Sequence, residues 1–268
     1  QRLDQRLPVD AVPVELAELA ESLNDMLARL EESFKRLSDF SSDLAHELRT
    51  PVSNLMTQTQ VALSKTRSSA EYREVLESNC EEFERLSRMI SDMLFLAKSE
   101  NGLIVPGTDS FDLADEVEAL FDFYGALAEE NGVTLRLEGS GQVTGDRLML
   151  RRAIGNLLSN ALRYTPSGGR IVVTVSVVRD STDTETVHLA VENTGDPIPP
   201  EHLSRLFDRF YRVDASRRHS GDGAGLGLAI TRSILRSHGG DIEGRTGKGC
   251  NIFEMWIPTS IVTPRSAD

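Results

Sequence analysis

Between Pro13 and Pro51 the chain has no glycine or proline, and within that stretch Leu23, Leu27, Leu30, Phe34, Leu37, Ser41, Leu44 and Leu48 follow one another in steps of four and three. An apolar stripe of that period closes only against another helix, so the segment is read as one long helix carrying a coiled-coil seam. Pro13 suits the first turn, where its missing N–H costs nothing, and Glu15 and Glu18 favour the positive end of the helix dipole. Past Pro51 the pattern weakens but continues through Leu55 and Ala62 to a break at Ser64–Ser69. There Ser68 followed by Glu71 is a capping box for a second helix. Leu76, Asn79, Phe83, Leu86, Ile90, Met93 and Ala97 repeat the steps up to Asn101-Gly102.

At a rise of 1.5 Å per residue the first helix spans on the order of 80 Å and the second roughly 45 Å. The hairpin partner therefore covers only the later part of the first helix. The seam from Leu16 to Phe34 has no partner in its own chain. A second copy supplies one, giving a parallel coiled coil that leads into a four-helix bundle, and the expectation is a homodimer. The competing reading, an ordinary intrachain helical domain, leaves those leucines in water.

Charge narrows the partners. Lys plus Arg is 29 against 42 Asp plus Glu, a formal net charge of −13, which repels a phosphate backbone and excludes direct nucleic-acid binding as the expected role. Cys80 and Cys250 have no spaced set of partners, so neither a disulfide framework nor a cysteine zinc site is legible. No run reaches the ~18 apolar residues of a membrane helix, and no signal-peptide pattern is present. The chain begins at Gln1 in charged sequence, and the expectation is a membrane-spanning part upstream.

Within the seam, at about 100° per residue, His46 stands roughly 200° from both Leu44 and Leu48, so its imidazole points away from the bundle axis. Thr50 lies four residues on and shares its face, and Glu47 sits beside it, able to orient or deprotonate a ring nitrogen. A neutral imidazole is a competent nucleophile. A surface histidine flanked by charges is ordinarily inert, but Pro51 within a turn of it removes a helix hydrogen bond, a costly feature that a purely structural bundle does not need.

Beyond Gly102 the pattern changes. Helical periodicity is read at 111–130, 147–162 and 230–237, and alternating strands at 133–137, 171–178, 187–192 and 252–257. This succession predicts an α+β two-layer sandwich with helices on one face of a mixed sheet. Asn156, Asn160, Arg163 and Tyr164 make one polar helix face. An amide oxygen is a fair ligand for a magnesium ion held mostly by phosphates, and an arginine supplies donors to those phosphates, although a merely solvated face fits the spacing equally well. Asn193-Thr194-Gly195-Asp196-Pro197 follows a strand, and Gly223-Ala224-Gly225-Leu226-Gly227 opens a helix. Glycines there let backbone N–H groups approach phosphate oxygens. The polar run 214–222 before them is no Rossmann strand, so the glycine-rich segment reads instead as a mobile lid.

The run His46-Glu47-Leu48-Arg49-Thr50-Pro51 resembles the H-box of sensor histidine kinases, and 156–164, 193–197, 207–212 and 223–227 stand in the order of the N, G1, F and G2 boxes of their Bergerat-type ATP-binding domain. The resemblance implies that His46 is phosphorylated, with Glu47 its base and Thr50 positioning water in a reverse phosphatase reaction. It implies Mg2+ on Asn160 with Asn156 assisting, and ATP contacts from Arg163, Tyr164, Asn193 and Gly195. The lid is carried by Gly223, Gly225, Leu226 and Gly227, and Arg212 approaches the γ-phosphate. Two positions depart from the pattern: Asn193 stands where an adenine-binding aspartate is usual, and Pro197 replaces a glycine. An amide oxygen still accepts from the adenine amino group, while its NH2 adds donors that a carboxylate lacks.

The runs 156–166 and 206–214 look like the heavy-metal, copper/silver-type subfamily, and the N-terminal seam looks like the second helix of a HAMP relay. The expected organisation is a HAMP-like relay at 1–35, a dimerisation and phosphotransfer hairpin at 36–100, a linker at 101–107, a catalytic ATP-binding domain at 108–262 and a tail at 263–268. The resemblance further implies the cytoplasmic portion of a bacterial inner-membrane sensor kinase, with a response-regulator receiver domain as partner. A conformational ATPase of the same nucleotide fold, without phosphohistidine, is the alternative.

Overall fold

The computed structural model describes residues 14–179, 185–213 and 224–259. The chain divides into two compact units, Gln1–Leu86 and Ser87–Asp268.

The first unit holds α1 (Val14–Leu63), which continues through Pro51 as one element, and the start of α2 (Ser69–Glu100). The turn between them closes on the capping box: Ser68 donates its N–H to Glu71 Oε2 at 2.8 Å, and Glu71 N–H returns to Ser68 Oγ at 3.3 Å. Hydrogen bonding to Ser68 holds the Glu71 carboxyl below the usual carboxylate range, which keeps the acceptor ionised. Leu55, Ala62 and Leu86 are buried within the hairpin. Leu23, Leu30, Phe34, Leu76 and Phe83, all seam positions, are exposed in the single chain. Burying a side chain of that kind contributes about 1.5–3 kcal/mol, so the open stripe is a large unused driving force for association.

The second unit begins within α2, which stops where the sequence indicated. Gly102 takes φ 65°, and Leu103 N–H donates to Lys98 O at 2.9 Å, satisfying an end carbonyl. Next comes β1 (Asp109–Asp112), paired antiparallel with β3 (Gln142–Gly145), with α3 (Leu113–Glu130) and β2 (Thr134–Gly139) between them. Residues 111–112 were expected in the helix and are strand instead. Phe111 pairs with Val143, and Asp112 caps α3 by accepting from Ala114 N–H at 2.9 Å, so the helix begins only at Leu113.

After α4 (Arg147–Tyr164) come β4 (Arg170–Arg179), β5 (Glu185–Thr194), the short α5 (Pro200–Leu203), α6 (Gly227–Ser237), β6 (Asp241–Gly247) and β7 (Cys250–Pro258). The larger sheet runs β2-β4-β5-β7-β6. Among the described residues only β2 and β4 pair in parallel, and a parallel pair needs a crossover, which α4 provides. Strand β5 is buried on alternate residues, Val187, Leu189, Val191 and Asn193, and it faces the apolar side of α4 (Leu150, Ile154, Leu157, Leu158), while α6 (Ile230, Ile234) packs on α4, β6 and β7. The sequence reading lacked β1, β3 and β6. Only Ile242 is buried along β6, so that strand depends on its hydrogen bonds to β7 rather than on an apolar pattern.

Candidate nucleotide and phosphoacceptor sites

Helix α4 carries Asn156, Asn160, Arg163 and Tyr164, and its start is pinned from another element. Its cap Asp146 accepts from Met149 N–H at 3.0 Å, while the N–H of Asp146 donates to His238 Nε2 at 2.9 Å. Nε2 must therefore be unprotonated, and Nδ1–H donates to Ile234 O at 2.8 Å. Burial pushes the His238 imidazole below the ordinary histidine value, consistent with that neutral form.

One turn into the buried part of α4, Asn156 Nδ2 donates to Gly227 O at 3.0 Å, and the fully buried Thr231 hydroxyl donates to the same carbonyl at 2.9 Å. The Asn156 bond fixes the first turn of α6 against α4, while the Thr231 bond lies within α6. Asn156 thus has only Oδ1 to offer a ligand. Asn160, half-buried on the same helix, engages no side-chain partner among the described residues. No group of three His, Cys, Asp or Glu side chains capable of holding a metal forms among the described residues. A cation here would be held by amide oxygens and by oxygens of its own ligand, a donor set that suits Mg2+ on a phosphate chain and not a transition metal.

At the end of α4 the chain turns back beside β5. Tyr164 and Arg163 are exposed, and Asn193 is 3% exposed. Gly195 follows at a point of close approach, where a Cβ would stand 2.9 Å from Tyr164 O. Asn251 props the segment after it, accepting at Oδ1 from Ile198 N–H (3.1 Å) and Thr246 Oγ1 (3.0 Å) and donating to Asp196 O (2.9 Å).

Residues 207–212 are likewise tied down. Phe210 has φ 59° and donates its N–H to Gly225 O at 3.0 Å. Tyr211 OH lies 2.5 Å from His202 Nδ1 and under the Arg205 guanidinium. Arg212 is half-buried, Leu226 is buried and Gly227 opens α6. Gly223 falls outside the described residues. The structure thus brings Asn156 to Gly227, and Gly195 to the backbone carbonyl of Tyr164 and to the Asn193 amide. His46, Glu47 and Thr50 belong to the first unit, where His46 and Thr50 are exposed and Leu44, Glu47 and Leu48 are half-buried. Residues the sequence did not single out are Thr165, Thr231, His238, Thr246 and Asn251. All but Thr246, which bonds to Asn251 five residues on, act through a bond to a residue distant in the chain, which local pattern does not register.

Three family patterns match in order: the HAMP domain at 1–32, the His Kinase A (phospho-acceptor) domain at 36–102, and the Histidine kinase-, DNA gyrase B-, and HSP90-like ATPase at 145–261. The chain is 55% identical over 257 residues to sensor histidine kinase CusS of Escherichia coli K12, covering 96% of this chain and 52% of that protein. The chain belongs to the sensor histidine kinases. It spans about half the length of the curated relatives it matches. Among solved structures, Acinetobacter baumannii histidine kinase AdeS aligns at TM-score 0.64 and 24% identity over 80% of this chain and 98% of that one. Histidine kinase ThkA in complex with response regulator protein TrrA aligns at TM-score 0.69 and 21% identity over 87% of this chain and 65% of that one. At those identities the likeness concerns the fold of this sensor kinase and not its partners.

Proposed function

We propose that this chain binds Mg·ATP, phosphorylates its own His46 as a homodimer, and passes the phosphoryl group to an aspartate of a response-regulator receiver domain. The observation that carries the reading is the exposed imidazole of His46 on a helix that matches the phosphoacceptor domain, in a chain that also carries the ATPase domain. The neutral ring nitrogen of His46 attacks the γ-phosphorus in line, the P–O bond to ADP breaks, and Glu47 takes the imidazole proton. Thr50, on the same face, positions water for the reverse hydrolysis.

On the nucleotide side Asn160 and Asn156 Oδ1 hold Mg2+, which neutralises phosphate charge when bound. Tyr164, Asn193 and Gly195 meet the base and sugar. Arg163 and Arg212 donate to phosphate oxygens, and Gly223, Gly225, Leu226 and Gly227 present backbone N–H groups to them. The exposed seam supports the homodimer. The ThkA–TrrA complex supports a receiver-domain partner, and the similarity to CusS supports a membrane-anchored sensor of the heavy-metal subfamily, with this chain its cytoplasmic portion. The domain limits 1–35, 36–100, 101–107, 108–262 and 263–268 remain our division of the chain.

Incubation with ATP radiolabelled at the γ-phosphate is expected to give protein-bound label that is acid-labile and base-stable, and absent in His46→Gln. Label that persists in that variant refutes the assignment of His46. Free phosphate with no labelled protein indicates the conformational ATPase instead.

A further inference from the structure

Asn193 is almost fully buried at the end of β5, and each of its side-chain hydrogen bonds runs through the NH2 group. Nδ2 donates to Thr194 O at 3.2 Å and to Thr165 Oγ1 at 3.4 Å. The Thr165 hydroxyl has already given its own proton to Ala161 O at 2.6 Å, so toward Asn193 it offers only lone pairs. Both neighbours of the amide nitrogen are therefore acceptors. Turning the amide over would set oxygen against oxygen twice. The side chain has one orientation, and among the described residues its Oδ1 is the atom that no protein donor satisfies. Oδ1 is not sealed inside the protein: it opens to solvent, where a ligand's donor can take the place of water.

We propose that Thr165 is a positioning residue that locks the Asn193 amide with Oδ1 toward the ligand, so that the site selects a purine carrying an amino group at ring position 6 and rejects one carrying an oxo group. The inference rests on the nucleotide-site reading above and adds its selectivity. An amino group donates to Oδ1, whereas an oxo group meets it as a second acceptor. The same surroundings are built for an amide and not for a carboxylate. Asn193→Asp puts a charged acceptor against Thr194 O and Thr165 Oγ1, and so weakens nucleotide binding even though aspartate is the usual residue of the family at this position.

The test is calorimetric titration of the full chain with ATP and with inosine triphosphate, which differ at ring position 6, both in excess Mg2+. Wild type is expected to prefer ATP by at least about tenfold, because the mismatch leaves Oδ1 unpaired. Thr165→Val lowers that ratio toward one, Thr165→Ser retains it, and Asn193→Asp binds ATP at least about tenfold more weakly than wild type. Because both nucleotides are titrated into the same sample, the ratio does not depend on how much of a variant is folded. A ratio unchanged in Thr165→Val, or an Asn193→Asp that binds ATP as tightly as wild type, overturns the inference and leaves the nucleotide site standing. A wild-type chain that binds neither nucleotide overturns both.

Discussion

Phe210 and Gly225 bracket residues 211–224: the N–H of Phe210 donates to the carbonyl of Gly225 at 3.0 Å, and both residues sit at positive φ, 59° and 71°. Only one of the two is a glycine. A non-glycine residue in the left-handed region costs of order 1 kcal/mol, so the strain at Phe210 is held by its surroundings and the bracket has a defined shape.

Gly225→Ala breaks that shape. The added Cβ would lie 2.8 Å from the Phe210 carbonyl carbon, on a backbone at φ 71° that alanine disfavours. The expected result is a loss of Mg·ATP affinity of about tenfold or more with a fall in stability of about 1–3 kcal/mol. Nucleotide titration beside a urea melt checks it, and unchanged affinity contradicts it.

Glu116 is fully buried and accepts from Arg147 Nε and Arg151 Nε, each at 2.5 Å, while both guanidinium groups remain partly exposed. The carboxylate is therefore the member that cannot escape to water. Glu116→Ala is expected to destabilise the catalytic unit by about 2–4 kcal/mol, and the double variant Arg147→Ala/Arg151→Ala by at least as much, since it leaves the buried charge without partners. Urea midpoints at constant slope measure both.

His238 makes stability depend on pH. Burial lowers its folded-state pKa below the ordinary 6.5, so between that lowered value and 6.5 the unfolded chain binds more protons. Stability is then complete above about pH 6.5 and is lost as pH falls through the folded pKa, where protonated Nε2 can no longer accept from Asp146 N–H. His238→Gln keeps an acceptor that does not titrate, and a flatter plot of Tm against pH is expected between about pH 7.5 and about pH 5. Some slope persists, because burial also lowers the His188 imidazole. An identical slope in the variant rules the device out.

Asp92 and Arg152 pair without being equivalent. Desolvation raises the Asp92 carboxyl above its ordinary value despite the opposing attraction of Arg152, so the folded state holds the charge reluctantly. The Arg152 guanidinium also lies 4.8 Å from the centre of the Phe95 ring. Arg152→Ala is expected to cost about 1–2 kcal/mol and Asp92→Asn less than about 0.5 kcal/mol, because the asparagine removes the reluctant charge while Arg152 keeps its ring contact. Equal losses in the two variants would contradict this asymmetry.

The exposure of His46 agrees with helical geometry, and the Ser68–Glu71 box was legible because its two bonds join residues three apart. The edge strand β6 was not legible, since a single buried Ile242 makes no period-two pattern. Glu116 was not singled out in the sequence, since nothing near it in the chain announces that Arg147 and Arg151 will enclose it.

What the sequence by itself determined is whatever depends on neighbours within a turn or a repeat: the long helices and their seam, the caps, the order of the boxes and the exposed imidazole. Only the tertiary structure decided which way the Asn193 amide faces, that Asn156 spends its NH2 group on Gly227, and that His238 must be neutral. Those outcomes are hydrogen bonds between residues far apart in the chain. A donor finds its acceptor there only after the sheet and helices have packed and excluded the water that would otherwise have served.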